Sequence, residues 1–267
     1  GNTTERVEKA AQSALEYWVA HPCMGANPLT DVSIVPDSAQ TLPAREVAYV
    51  EHIDTQKLSE CACQWDVNIY VLVSPGSFVT PSTPLAKIDG SLTEEQCDAL
   101  QETFLLAAER SFDQDPRYGM CVLAEIASRA LSPAMNDPGT AIDVLSRAVR
   151  ILSCWEDQDK DTDSARREGE KGKRGPVCEK VWMSALDPHD VFNDFFTPIA
   201  RDGASMIEVQ IRLQKVLSNL AQLQPQALGE AARHHARLAL ERALHALTLE
   251  TDRRNLADLS KRLFPPL

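Results

Sequence analysis

No stretch of about 18 consecutive apolar residues, the length a membrane-crossing helix needs, occurs in this chain. The longest uncharged run, Ile69 to Ala86, contains Pro75, Gly76, Pro81 and Pro84, which would break such a helix. Basic residues are also few: 27 Lys plus Arg stand against 39 Asp plus Glu, a net charge of -12. A general nucleic-acid partner is excluded on that ground, because binding a phosphate backbone needs clustered cations that release counterions. Also missing are a Gly-x-Ser-x-Gly nucleophile turn, a glycine loop that cradles phosphates and a dinucleotide fingerprint. The chain opens on Gly1 without a methionine or a charged-then-apolar leader, so we expect it to be part of something longer.

What is there fits a folded protein: 267 residues, 43% hydrophobic and 25% charged. At roughly 100 to 200 residues per domain this allows one large domain or two modest ones. Seven cysteines, an odd number and scattered, read as reduced thiols in a chain too long to need staples, which favours a cytoplasmic compartment.

The pattern along the chain is α+β. Val7, Ala11, Ala14 and Trp18 form one apolar face of a first helix, Thr3 to Val19. Short β-branched runs follow at Val32 to Val35, Glu46 to His52, Val67 to Val73 and Pro84 to Ile88, a small β module with Pro75-Gly76 as a turn. From Ser91 the chain reads as helices: Leu92 to Ser111, Pro116 to Leu131, Pro138 to Trp155, Pro188 to Ala200, Ala204 to Leu223, Ala227 to Glu250 and Asp252 to Leu263. Three of them open on Asp-Pro, at Asp115, Asp137 and Asp187, where the carboxylate caps first-turn amides and proline lacks only an amide that had no partner. The expected division is 1–25 as a leading helix, 26–90 as the β module, compatible with a barrel-sandwich, and 91–267 as a helical layer. Within that layer Glu156 to Pro176 holds 13 charged residues of 21, the composition of a disordered loop, and Val177 to Met183 alternates like a strand returning to the β module.

Four constellations could carry chemistry. Arg129, Ser132, Asn136, Asp137 and Thr140 surround a turn bracketed by Pro133 and Pro138; capping accounts for them, and the sharper alternative is a binding site at a helix N-terminus. His234, Glu241 and His245 lie within about 40° on a helical wheel, a weak metal set, since His234 and Glu241 are two turns or about 10 Å apart. A solvated or interface face is the preferred reading. Cys61 and Cys63, with His52 upstream, form a second thin metal candidate, which two cysteines pointing to opposite sides of a strand would not satisfy. The Pro75-Gly76 hairpin also looks like those of biotinyl and lipoyl carriers, but after Lys87 the next lysine is Lys160, so no carrier lysine follows it. No metal and no cofactor is expected.

Two stretches carry a resemblance. Asp115 to Ala141, with its Ala-Leu-Ser-Pro-x-x-Asn-Asp-Pro-x-Thr-Ala core, and Ala48 to Asp54 followed by Ser74 to Ala86, are similar to the recurring segments of the bacterial predicted membrane proteins grouped as domain of unknown function 2254. Ala48 and Ser82 depart from that family's pattern, each standing where a glycine is usual. The resemblance implies a soluble domain following a bundle of membrane helices, anchored in the bacterial inner membrane and facing the cytoplasm, with its own membrane segment as a partner. It implies no activity. We therefore expect a non-enzymatic domain that assembles subunits or regulates the membrane part as a homo-oligomer, using the β module or the C-terminal helices. One seam for this is Val209, Leu213, Val216, Leu220 and Leu223, a stripe for a partner helix either of another copy or of the same chain. The alternative is a metal-dependent or small-molecule-binding enzyme sited around Arg129 to Asp143.

Overall fold

A computed structural model of the chain describes residues 2–155 and 178–266. The segment expected to be a disordered loop, 156–176, lies outside the described residues. Nine helices and eight strands are seen among the described residues, an α+β fold. They divide into two compact units. A helical unit holds the described residues of 1–16, 119–159 and 187–267, and a β-rich unit those of 17–118 and 160–186. The β-rich unit thus reaches well beyond the expected 26–90.

In chain order the elements are α1 (Asn2–Ala20), β1 (Ala26–Pro28), β2 (Gln40–Pro43), β3 (Ala48–Ile53), α2 (Thr55–Trp65), β4 (Asn68–Val71), β5 (Phe78–Val79), β6 (Pro84–Asp89), α3 (Glu94–Gln101) and β7 (Phe104–Ala107). They continue with α4 (Tyr118–Ala130), α5 (Pro138–Leu152), β8 (Cys178–Met183), α6 (Pro188–Asp202), α7 (Ile207–Leu223), α8 (Gly229–Ala246) and α9 (Glu250–Leu263).

The β-rich unit has two sheets. One runs β1-β8-β4-β6-β2, with β8 parallel to both β1 and β4 and the other pairs antiparallel. The second runs β5-β3-β7, all antiparallel. β4 sits inside the first sheet, and its Ile69 is flanked by Ile88 of β6 and Val181 of β8, all fully buried. The alternating 178–183 segment does join the β module, in a central position supported on both sides.

Three expectations in this unit are corrected. α2 interrupts what reads as an all-β module, capped by Asp54, which accepts the Lys57 amide at 2.9 Å, and burying Leu58, Cys61 and Ala62. The helix expected over Leu92 to Ser111 stops at Gln101 and is followed by strand β7. A capping box between Thr93 and Gln96 starts that helix correctly, but Phe104-Leu-Leu-Ala107 gains more by pairing with β3. Val32 to Ile34 is a single 3₁₀ turn capped by Asp31, not a strand.

The helical unit is built on α7. Val209, Leu213, Val216 and Leu220 are all buried within the chain, where α7 packs on α5, α8 and α9. The seam expected to admit a partner helix is therefore filled internally, and only Leu223 at its end is exposed. Gly119 opens the close crossing of α4 on α1: a Cβ there would lie 2.4 Å from the Ala11 Cβ. α5 and α6 start as expected, on Asp137-Pro138 and Asp187-Pro188. α4 starts two residues after Pro116, with Asp115 accepting the Arg117 and Tyr118 amides at 3.1 and 3.0 Å.

Candidate functional site

The turn between α4 and α5 places the five residues singled out from the sequence in one local network. Asp137 accepts the Thr140 amide at 3.1 Å and the Thr140 hydroxyl at 2.5 Å. Those two bonds hold its carboxyl below the usual aspartate range. The Asn136 amide donates to the Ser132 carbonyl at 2.9 Å, and the Asp137 amide to the Ala130 carbonyl at 2.8 Å. Ser132 turns its hydroxyl onto the Arg129 carbonyl at 2.7 Å. Asn136 has φ 46°, the left-handed conformation in which Asn is more at ease than most residues and which closes helices. Each of these contacts is local, and all but the Thr140 hydroxyl bond to the Asp137 carboxylate involve the backbone. We expect Asp137→Ala to lower the melting temperature by about 2 to 4 °C, as loss of a helix cap does in a protein of this size; an unchanged melting curve would mean the carboxylate is not a structural cap.

A second network lies in the β-rich unit, where the two segments quoted for the family resemblance meet. Ser74-Pro75-Gly76-Ser77 forms the expected turn: the Ser77 amide donates to the Ser74 carbonyl at 3.0 Å and Gly76 has φ 92°. The Gly76 amide donates to Val50 of β3 at 2.7 Å, and a Cβ on Gly76 would sit 2.2 Å from the Asp115 carboxylate. Asp115 is buried and accepts Arg110 Nε at 2.7 Å, while the Arg110 guanidinium lies 5.0 Å from the centre of the Tyr118 ring. Next to it, buried Gln114 accepts the Ile53 amide through its side chain at 2.9 Å and the Trp18 indole through its backbone carbonyl at 2.7 Å. Sequence reasoning missed Arg110, Gln114 and Gly76 as a group. Their proximity depends on β3 and the Pro-Gly turn, more than 50 residues from Arg110 for β3, and a single sequence carries no local signal for such pairings.

Metal-ligand groups do not gather. Among the described residues no three His, Cys, Asp or Glu side chains are placed to hold a metal ion. His234 faces His189 of α6, with ring centres 5.8 Å apart, and Arg237 Nη2 is 3.3 Å from its Nδ1; Glu241 and His245 are exposed further along α8. Cys61 and Cys63 lie on α2 and not on a strand, one buried and one exposed, and burial pushes the Cys61 thiol up. Hollows among the described residues include one of about 280 Å³ between Arg45 and Leu106 and one of about 340 Å³ walled by α1 and α5. Neither is lined by Arg129, Ser132, Asn136, Asp137 or Thr140.

The second hollow is charged. Buried Glu8 of α1 accepts Arg150 Nε at 2.6 Å and is also bonded by Arg147, which reaches Asp143 at 2.7 Å with its Nε. The Arg150 and Arg147 bonds hold the Glu8 carboxyl below the usual glutamate range against the opposing effect of burial. Its two guanidiniums are thus already neutralised by carboxylates from two helices.

Comparison with known proteins then places the chain. Residues 1–219 match the model of a family described as "Predicted membrane protein (DUF2254)". The chain belongs to this family. Uncharacterized proteins of Mycobacterium bovis and Mycobacterium tuberculosis are 30% identical to it over 127 residues, which is 44% of this chain. That matched part spans only 24% of the length of those relatives. No solved structure matches the chain. Among the described residues no helix is long and apolar enough to cross a membrane.

Proposed function

We propose that this chain is a non-enzymatic part of a bacterial inner-membrane protein, on the cytoplasmic side, which joins subunits or regulates the membrane part through the outer face of the β5-β3-β7 sheet. One observation carries the reading. Along β3, where a bulge between Val50 and His52 shifts the alternation by one residue, Val50 and Ile53 are buried and Tyr49 and His52 turn outward, beside Phe78 of β5 and Leu105 of β7. On that outer side Phe78 is 58% exposed, Leu105 53% and, just before β3, Val47 62%. Tyr49 and Phe78 pack edge to face with ring centres 5.2 Å apart. An antiparallel sheet with one solvated face ordinarily presents polar side chains there. These exposed apolar side chains, grouped on one sheet, support reading that face as an interaction surface.

The family description supports the membrane setting, and the local bonding of the Arg129 to Thr140 turn, mostly to its own backbone, supports a structural use of that motif. Light scattering of the chain at micromolar and tens of micromolar concentration tests the assembly reading. We expect a defined oligomer, and a shift to lower mass for the double variant Phe78→Ser, Leu105→Ser with an unchanged far-ultraviolet circular dichroism spectrum. A monomer throughout that range would overturn self-assembly through this face.

A further inference from the structure

We propose that the packing of α8 on α6 is an acid-responsive joint, loosened when His235 takes up a proton. His235 is 5% exposed and lies in the inner stripe of α8, among Ala231, Ala232, Ala236 and Ala239. Its ring is 5.9 Å from Phe192 of α6 and 5.3 Å from His234, and His234 in turn meets His189 of α6 edge-on. Three imidazoles from two helices therefore share one contact.

The charges around this contact do not favour a cation. α6 contributes His189 to the ring contact and also carries exposed Asp190 and half-buried Asp194, and α8 contributes His234 with Arg237 at its Nδ1. Glu230 stands 4.0 Å from His189 Nε2 and is 93% exposed in its side chain, so it faces water. The buried faces of α7 and α9, which also pack on α8, carry no ionisable side chain. A proton on His235 would thus be a charge buried among alanines and Phe192, beside two further imidazoles.

Burial, and then the neighbouring His234 and His189, push the His235 imidazole down to about 4 from its ordinary 6.5. The sign follows. Above pH 6.5 both packed and loosened states hold His235 neutral and the joint is fully favoured. Between about 6.5 and 4 the loosened state takes up a proton that the packed state refuses, so packing weakens as pH falls. With those two values the opening equilibrium rises about 20-fold from pH 7 to pH 5.

Amide hydrogen exchange of the whole chain at pH 7 and pH 5, corrected for the intrinsic pH dependence of exchange, tests this. Peptides from α6 and α8 should lose protection about 20-fold at pH 5, peptides from α2 should not, and His235→Gln should abolish the difference. Equal corrected protection at both pH values, or a response that survives in His235→Gln, would overturn the proposal. Should that variant fail to fold, titration of the His235 ring by NMR in the unaltered chain decides: protonation near pH 4 supports the joint, and protonation at 6 or above with the fold intact overturns it.

Discussion

Gly76→Ala is expected to destabilise the β-rich unit by about 3 kcal/mol or more, from two effects acting at one atom. The residue has φ 92°, where an L side chain is strained by about 1 to 2 kcal/mol. Its added Cβ would also stand 2.2 Å from the Asp115 carboxylate. That carboxylate cannot swing aside without loss, because Arg110 Nε and the amides of Arg117 and Tyr118 hold it. Denaturant unfolding followed by circular dichroism gives the loss directly. Pairing Gly76→Ala with Asp115→Gly removes the collision while leaving the backbone strain, so the double variant should lose less than the sum of the single ones. Strict additivity would show that the turn and Asp115 do not press on each other.

The second large effect is expected for Glu8→Ala, at about 2 kcal/mol, between the loss of an exposed ion pair and that of a buried one. Glu8 is nearly buried and is the only carboxylate that joins Arg147 and Arg150 across α1 and α5 among the described residues. Removing it leaves Arg147, itself 16% exposed in its side chain, with Asp143 alone, and deletes a partner from a half-buried charge. Arg150 is more than half exposed and can return to water, which keeps the cost below that of a fully buried pair. The pH dependence has the same sense as that of a histidine with a lowered pKa and differs only in its window. The Glu8 carboxyl is depressed in the folded chain, so its contribution is present above the unfolded glutamate value near 4.5 and fades as pH falls through the lower folded value. In Glu8→Gln this acid-dependent part of the unfolding free energy should vanish; an unchanged acid limb would show that the ion pair contributes nothing net.

The fold was legible from the sequence wherever the determinant is local. Asp137-Pro138 and Asp187-Pro188 each carry their own cap and their own missing donor, so α5 and α6 begin where the two residues alone require. Pro75-Gly76 likewise predicts its turn, since φ is preset by one residue and left free by the next. α2 was missed although Leu58, Cys61, Ala62 and Trp65 repeat at helical spacing, because the strands on both sides invite reading the whole span as sheet. On α8 the wheel of His234, Glu241 and His245 drew attention to the polar side, while the alanine stripe that contains His235 marked the buried one.

What the sequence by itself determined is the starts of α5 and α6, the Pro-Gly turn, the α+β class and the family, all carried by residues within a few positions of one another. Tertiary structure alone decided that Phe104–Ala107 is a strand, since a four-residue apolar run has no period of its own and its partner β3 is some 50 residues away. It also decided that the α7 seam is spent inside the chain, that Gly76 and Asp115 press together, and that His235 is the histidine withdrawn from water. Each of these depends on which surface an element meets, and loop closure between distant segments leaves no mark on the residues that close it.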